Sequence, residues 1–333
     1  MFLVWDRLLP HSLPHLNVSS PGLTCPQRHD ILSRLFDGSV LGRLASLSRP
    51  PASKWDTGGS PVRERHLVIQ ASQPSTWRWA HRHAWASYLR AAKGAGLLDD
   101  PEMLPRLLGD DDDGFRSAMS ECCTAWYLAH HRRARVRPNP ATKKTKNFDL
   151  VVERRGVTAH VEVKAPYVPL LSSNWSGDDA KVLRRCVEDS GVQFGKGNPN
   201  VVVLVPLLRT PVSLARGQLL KATIGEPAIN VFVSLDGSKP PPPEQTFLQR
   251  GKLAKLWPDQ GGAHRTDLTR VSAVMSIEQR RTEDRYGSRL QPVVVVVHNP
   301  FAANPLPPAF FGRVPQWITK NGTMRWSDPY DGP

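Results

Sequence analysis

The sequence predicts an α/β protein in which helices flank a mixed central sheet. Two short β-type runs, 148–152 and 159–164, are separated by the pair Arg155-Gly156, which is typical of a hairpin turn. The run 200–205 is continuously apolar, as in a strand buried on both faces. Amphipathic stretches lie on either side of these runs. A chain of 333 residues is also long enough to bury a sizeable core and to carry more than one domain.

The N-terminal region is predicted to be helical but partly irregular. Residues 1–65 are rich in Pro, Ser and Arg, and a short helix fits only around 30–47. A firmer helix begins with Ser75 or Thr76 as the N-cap and is stopped by Gly94 and Gly96. Its aromatic side chains interleave with basic ones, which favours aromatics packed in the core over a face that stacks on nucleic-acid bases.

The next predicted helix covers residues 114–131 and follows the acidic run 110–113. Carboxylates at this position suit the helix dipole and can supply the N-cap. Glu121 lies at the edge of the apolar stripe of this helix. The spacing leaves two interpretations open for Glu121, an acid in solvent on the helix flank or a member of a buried acidic cluster.

Charged side chains converge on the predicted hairpin that follows a first strand over 134–140. Because strand side chains alternate, Val161 and Val163 point to one face and Glu162 and Lys164 to the other. Asp149 lies near the start of the neighbouring strand. Two carboxylates and one ammonium group at one end of a hairpin are the minimum needed to hold a hard divalent cation and polarise a phosphodiester. An exposed salt bridge on a sheet face is the alternative explanation for the last pair.

The remaining elements follow from periodicity and turn residues. They are helices over 178–193 and 213–223 and strands over 200–205, 229–235, 269–277 and 292–298. Residues 236–245 are predicted to form an exposed loop, because four consecutive prolines cannot join a strand ladder. The segment after His298 is rich in proline but carries four large aromatic residues, so we expect it to pack as an irregular cap.

The charge balance favours a polyanionic partner. Lys and Arg number 44 against 30 Asp and Glu, which gives a formal net charge of +14, and nucleic acid is the first candidate for such a surplus. The candidate contacts are Lys143, Lys144, Lys146, Lys181 and Arg185. Each is equally well explained as part of a solvated loop or helix face.

Compartment and membrane association follow from the apolar and cysteine patterns. The opening segment has no sustained apolar core, so no secretion signal is predicted. No run approaches the roughly 20 apolar residues of a membrane span. The four cysteines form no CxxC pair, which argues against a disulfide framework or a zinc knuckle and favours a reducing cytoplasm.

The order of these elements resembles the PD-(D/E)xK nuclease superfamily, whose fold is that of restriction endonucleases. The residues that carry the resemblance are Asp149 and the triplet Glu162-Val163-Lys164, supported by Glu121, and the similarity covers roughly residues 110–235. Phe148 stands where the family often has proline. The resemblance implies an αβββαβ core.

This core is assigned to residues 109–236. The helical region 1–108 precedes it, and the extension 237–333 packs on it and adds C-terminal strands to its sheet.

The resemblance also implies roles for individual residues. Asp149 and Glu162 would ligate Mg²⁺, for which Mn²⁺ is a possible substitute, with the backbone carbonyl of Val163 as an added ligand. Lys164 would orient the attacking water or stabilise the pentacovalent transition state. Glu121 would bind a second metal or orient a metal-bound water.

The expected function is that of a metal-dependent nuclease that hydrolyses phosphodiester bonds of DNA, as a bacterial defence or repair endonuclease. A helix-borne glutamine directed at the site in some family members has a candidate match in Gln193. The alternatives are a nuclease-like fold that binds nucleic acid without cleaving it, and an unrelated hydrolase or interaction domain. A homodimer is a candidate assembly.

Overall fold

A computed structural model describes residues 78–108, 112–139, 148–166, 179–206, 216–230, 244–250, 253, 268–284, 287–320 and 323–327. The predicted helix over 30–47 and the N-cap at Ser75 or Thr76 lie outside the described residues. So does the basic segment with Lys143, Lys144 and Lys146.

Five α-helices and ten strands are present in the described residues. The helices are α1 Arg78–Gly94, α2 Met103–Leu108, α3 Asp112–Trp126, α4 Asp179–Gln193 and α5 Arg216–Thr223. The strands are β1 Arg135–Pro138, β2 Leu150–Arg154, β3 Val157–Lys164, β4 Asn200–Leu204, β5 Gly225–Asn230, β6 Glu244–Arg250, β7 Ala273–Asp284, β8 Gly287–His298, β9 Gln316–Lys320 and β10 Thr323–Ser327. A π-helical turn, Tyr127–His131, follows α3 directly.

The protein is a mixed α/β structure built on an eight-stranded sheet. The strand order is β1-β2-β3-β4-β7-β8-β9-β10. β4 runs parallel to both β3 and β7, and β9 runs parallel to β8, whereas the other neighbours are antiparallel. Four strands from the C-terminal part of the chain therefore extend the sheet: β7 and β8 were predicted, whereas β9 and β10 were not. β5 and β6 form a separate two-stranded sheet.

Helices cover both faces of the sheet. Helices α1 to α3 share one core cluster with Val161, Val163 and Val203, whereas α4 and α5 share a second cluster with Val202 and Leu204. Consecutive strand residues thus enter opposite cores, which explains why β4 is buried at every position and apolar from Val201 to Leu204. Within the described ranges, no helix has both the length and the apolar character of a membrane span.

The aromatic side chains of α1 that can be described lie in the core. Trp85 and Tyr88 are 3% and 1% exposed, and Trp85 packs edge-on against Phe115 of α3 with ring centroids 6.2 Å apart. The interpretation of α1 as an amphipathic helix with buried aromatics is confirmed at these two positions.

Between residues 112 and 204 the element order is helix, three strands, helix and strand. Helix α1 shares the core cluster of α3 and of the sheet, so residues on both sides of position 108 contribute to one core. The division of the chain at residues 108/109 and 236/237 stays a prediction.

Three sequence-based boundaries differ from the structure. The strand predicted over 229–235 begins earlier, at Gly225, and pairs with β6 outside the main sheet. Glu244 and Gln245, assigned to the proline-rich loop, are the first residues of β6. The C-terminal segment also adds two strands, where an irregular cap was expected. Trp317 of β9 and Trp326 of β10 are direct cross-strand partners with ring centroids 5.3 Å apart, and such a pair stabilises antiparallel strands.

The predicted turn between β2 and β3 is confirmed. Arg154 pairs with Val157, which leaves Arg155 and Gly156 as the two loop residues. Both have positive φ, +51° and +75°, the combination that type I′ hairpin turns require. Asn and Gly adopt this region readily, whereas an arginine in the left-handed region has a conformational cost.

Replacing Arg155 with Asn is expected to raise the free energy of unfolding by about 1 kcal/mol, because it removes that cost from the turn. Urea unfolding measures the change. Gly156→Ala is the matched control. An added Cβ there meets nothing within 4 Å, so its expected loss of stability is purely conformational. A less stable Arg155→Asn variant would contradict this account of the turn.

Titration of His131 is expected to make the fold sensitive to acid. Its ring lies 4.7 Å from Trp126 and 5.3 Å from Tyr127, and burial, followed by the charges of Arg132 and His130, lowers its pKa to about 4. A histidine in the unfolded chain has a pKa of about 6.5. Between that pH and about pH 4, the unfolded chain therefore binds a proton at His131 and the folded chain does not. The contribution present at pH 7 is lost as the pH falls through this window.

The variant His131→Phe retains a ring of similar shape and removes the proton-binding group. Thermal unfolding at pH 7, 6 and 5 is expected to show a flatter pH dependence for this variant than for the wild type. Parallel curves would show that His131 does not couple folding to protonation.

Candidate metal centre

The carboxylate of Asp149 takes the place of a missing strand residue. The backbone N–H of Asp149 donates to the carbonyl of Val161 at 2.9 Å. Strand β2 begins one residue later, so β3 extends beyond its partner at this end. The N–H of Val163, which has no strand partner there, donates instead to Asp149 Oδ2 at 2.8 Å. The carbonyl of Phe148 accepts a hydrogen bond from Asn139 Nδ2. The hydrogen bonds at the open end of the hairpin thus fix the direction of the Asp149 side chain.

Glu162 and Lys164 face the side of the sheet opposite the valines, as the alternation predicted. Lys164 Nζ donates to Glu162 Oε1 at 2.7 Å. The side chains are 24% and 9% exposed for Lys164 and Glu162 respectively, so the pair is largely shielded from water. An ion pair with this little exposure is not the solvated surface bridge that was the alternative explanation, since screening by water is weak here.

Asp149 belongs to the same pocket. Burial by itself lowers the pKa of Lys164, but the charge and hydrogen bond of Glu162 and the charge of Asp149 outweigh it, so the pKa of Lys164 is raised. Helix α4 packs on the same face of the sheet as Lys164 and Glu162. Burial raises the pKa of Cys186 on α4 to about 11, against the opposing effect of the Lys164 charge. Lys164 therefore stays protonated at neutral pH, in contact with Glu162 and under the influence of the Asp149 charge.

A stacked pair of rings supports the segment that precedes Asp149. The rings of Phe148 and His160 have centroids 3.9 Å apart and planes within 9° of each other. His160 Nε2 lies 3.1 Å from Asn198 Nδ2, and because an amide nitrogen only donates, Nε2 is the acceptor. Burial and then the charge of Arg137 lower the pKa of His160, which favours the neutral ring that this contact needs.

Sequence reasoning missed this support. Phe148 was noted only as a replacement for proline, and His160 was not singled out. The available signal was position: His160 lies two residues before Glu162 and therefore on the same face of β3.

Glu121 occupies a different environment from the other predicted site residues. It is buried on α3, 2% exposed, and accepts a hydrogen bond from the guanidinium of Arg106 on α2. The hydroxyl of the adjacent Ser120 donates to the carbonyl of Val205 at 3.2 Å, so this turn of α3 lies near the carboxyl end of β4. Helix α3 packs on the face of the sheet opposite Glu162. Glu121 is therefore a buried acid and not one in solvent, and it is paired with Arg106.

The candidate nucleic-acid contacts on α4 lie at the surface. Lys181 and Arg185 are exposed, and Arg185 approaches Asp189 one turn away at 3.9 Å, a solvent-screened contact of little energetic weight. Gln193, the last residue of α4, is also exposed. Both original interpretations of Lys181 and Arg185, a phosphate contact and a solvated helix face, agree with these positions.

The pocket offers a small set of hard oxygen donors. Within the described part of the chain, no group of three His, Cys, Asp or Glu side chains is arranged to hold a metal ion. The two carboxylates of Asp149 and Glu162 remain, and Mg²⁺ is typically held by one or two carboxylates, with waters and substrate phosphates completing its shell. Two carboxylates therefore suit Mg²⁺, which keeps several of its waters, better than a metal ion that needs a complete set of protein ligands. Val163, whose carbonyl was a further candidate ligand, lies buried between Glu162 and Lys164.

Comparisons of the chain with protein-family models, with curated proteins and with solved structures give no match.

Two substitutions of Asp149 are expected to separate its backbone contact from its charge. Asp149→Ala leaves the N–H of Val163 without its acceptor and should lower the free energy of unfolding by about 1–3 kcal/mol. Asp149→Asn keeps an oxygen acceptor of the same reach and should be clearly more stable than Asp149→Ala. Both are measured by urea unfolding. Equal stability of the alanine variant and the wild type would rule out the structural role of this carboxylate.

Proposed function

We propose that the chain is a metal-dependent nuclease with a restriction-endonuclease-like core that hydrolyses phosphodiester bonds of DNA. The observation that carries the proposal is the group at the open end of the β2–β3 hairpin, where Lys164 contacts Glu162 and Asp149 is held on the N–H of Val163 between them in sequence. The element order of residues 112–204 gives further support. The net charge of +14 fits a polyanionic substrate.

The chemistry of the pocket suits attack on a phosphodiester. A phosphodiester is anionic and gains further negative charge as a nucleophile adds, so a catalyst must neutralise charge and orient the nucleophile. Mg²⁺ bound by Asp149 and Glu162 would polarise the phosphate and lower the pKa of a bound water. Lys164, whose pKa is raised, carries a positive charge at neutral pH that can contact a phosphate oxygen or the attacking water.

A second candidate is a nuclease-like fold that binds nucleic acid without cleaving it. The observation that favours it is the direct contact between Lys164 and Glu162, which engages one of the carboxylate oxygens and can serve as a structural ion pair. A role in bacterial defence or repair, a cytoplasmic location and a homodimeric assembly belong to the nuclease proposal as further expectations.

The deciding experiment incubates the full-length protein with circular and linear DNA in Mg²⁺, in Mn²⁺ and in EDTA. The wild type is expected to cleave only with a divalent ion, and Lys164→Ala, Glu162→Gln and Asp149→Asn are expected to lose at least about 100-fold in rate. Lys196→Ala is the matched control, because Lys196 is exposed and precedes β4 at the opposite end of the sheet.

Cleavage that persists in EDTA, or in all three site variants, would overturn the nuclease proposal. Salt-sensitive binding of DNA by the wild type, without turnover in either metal, would support the second candidate instead. Thermal unfolding of each variant establishes that a lost activity is not a lost fold.

A further inference from the structure

Among the described strands, β1 forms one edge of the main sheet, and it carries two exposed arginines. Arg135 and Arg137 flank the buried Val136, which belongs to the core cluster beneath α1 to α3. Because strand residues alternate, the two arginines project on the opposite face, the face of Glu162 and Lys164.

The register of the sheet places these arginines in line with the pocket. Arg137 is opposite Val151, which in turn is opposite His160. The next row on this face, toward the open end of the hairpin, holds Glu162, two residues beyond His160 on β3. Rows on one face repeat every two residues, about 7 Å. Arg137 therefore lies one row from Glu162, with β2 between their strands, and the row of Arg135 is one step further.

Two more arginines continue this edge at the turn end of the hairpin. Arg133 precedes β1 and Arg155 lies in the β2–β3 turn, and both are exposed. Both also have positive φ, +53° and +51°. Glycine or asparagine would adopt this conformation at lower cost, so folding stability does not account for arginine at either position. We call Arg133, Arg135, Arg137 and Arg155 the arginine edge.

The positive charge of the arginine edge is only partly compensated. Glu153 of β2 contacts both Arg137, at 3.0 Å, and Arg135, at 3.8 Å. The Arg135 and Arg137 side chains remain 78% and 46% exposed. Neighbouring groups respond to the excess charge. Burial and then the charge of Arg155 lower the pKa of Arg154, and Arg137 contributes to the lowered pKa of His160.

We propose that the arginine edge binds the phosphate backbone of a DNA strand and directs it across β2 into the pocket of Asp149, Glu162 and Lys164. The endpoint of this path rests on the proposed nuclease function, whereas the backbone contact does not. Guanidinium groups bind phosphate oxygens through paired, charge-assisted hydrogen bonds. Such contacts position the duplex and carry no sequence information.

The test measures binding apart from cleavage, by fluorescence anisotropy of a labelled DNA duplex in EDTA over a series of salt concentrations. Each lost phosphate contact is expected to reduce the slope of log K against log salt by about 1. The double variant Arg135→Ala/Arg137→Ala should therefore lose about 2 in slope and bind about tenfold or more weakly at low salt.

The matched control is Arg280→Ala/Arg325→Ala. It removes the same charge from two exposed arginines of β7 and β10, and β10 is the strand at the opposite edge of the sheet. We expect this variant to keep the wild-type slope. Equal weakening by both double variants would overturn the proposal, because net charge alone would then explain the binding.

The variant Arg155→Asn distinguishes a lost contact from a lost fold. It should raise the melting temperature by relieving the strained turn, and it should still weaken DNA binding with a slope reduced by about 1. Unchanged binding by this variant would remove Arg155 from the arginine edge.

The outcomes also separate this proposal from the nuclease function. Edge-dependent binding by a protein that never cleaves DNA would leave the arginine edge standing and refute the nuclease. Lys164-dependent cleavage, combined with wild-type binding by the β1 double variant, would refute the arginine edge alone. At 0.1 M salt, charges are screened over a distance of about 10 Å. Absence of duplex binding by the wild type at this salt concentration would refute both proposals.

Discussion

The hydrogen bond from the Val163 N–H to the Asp149 carboxylate determines the geometry of the candidate site. It satisfies a backbone donor where β2 no longer runs beside β3, and it holds a charged group next to Lys164. One carboxylate therefore serves the fold and the pocket at once. A buried N–H without a partner is costly, so the fold itself keeps Asp149 in place whether or not a cation is bound.

The sheet around this point combines a hairpin with parallel pairing. The β2–β3 hairpin presents Asp149 and Glu162, whereas the parallel neighbour β4 and helix α4 cover the pocket with apolar side chains. Low exposure strengthens the attraction between Lys164 and the carboxylates. The arginine edge lies on the β1 side and at the turn of the same hairpin. The buried charges of Glu162 and Lys164 and the solvent-facing arginines thus belong to neighbouring parts of one three-stranded unit.

Much of this arrangement was predictable from local pattern, because strand alternation is a two-residue rule. It correctly separated Val161 and Val163 from Glu162 and Lys164, and Arg155-Gly156 marked the turn. Partners distant in sequence were not predictable. Nothing near Glu121 announces Arg106 as its ion-pair partner, and the ring of His160 meets Phe148 only after the hairpin closes. The strands β9 and β10 were missed because prolines surround them, although their paired tryptophans stabilise them.

The middle of the sheet has a consequence for how the chain acquires its structure. β4 is paired on one side with β3 and on the other with β7, so Val201 lies beside Ala273 despite the long segment between them. Contacts between such distant segments slow folding, since a large loop must close before the pairing is gained. During synthesis the apolar edge of β4 stays uncovered until β7 has emerged from the ribosome, and such an unpaired edge is prone to aggregation. The nascent chain is thus most exposed to misassembly after β4 has emerged and before β7 follows it.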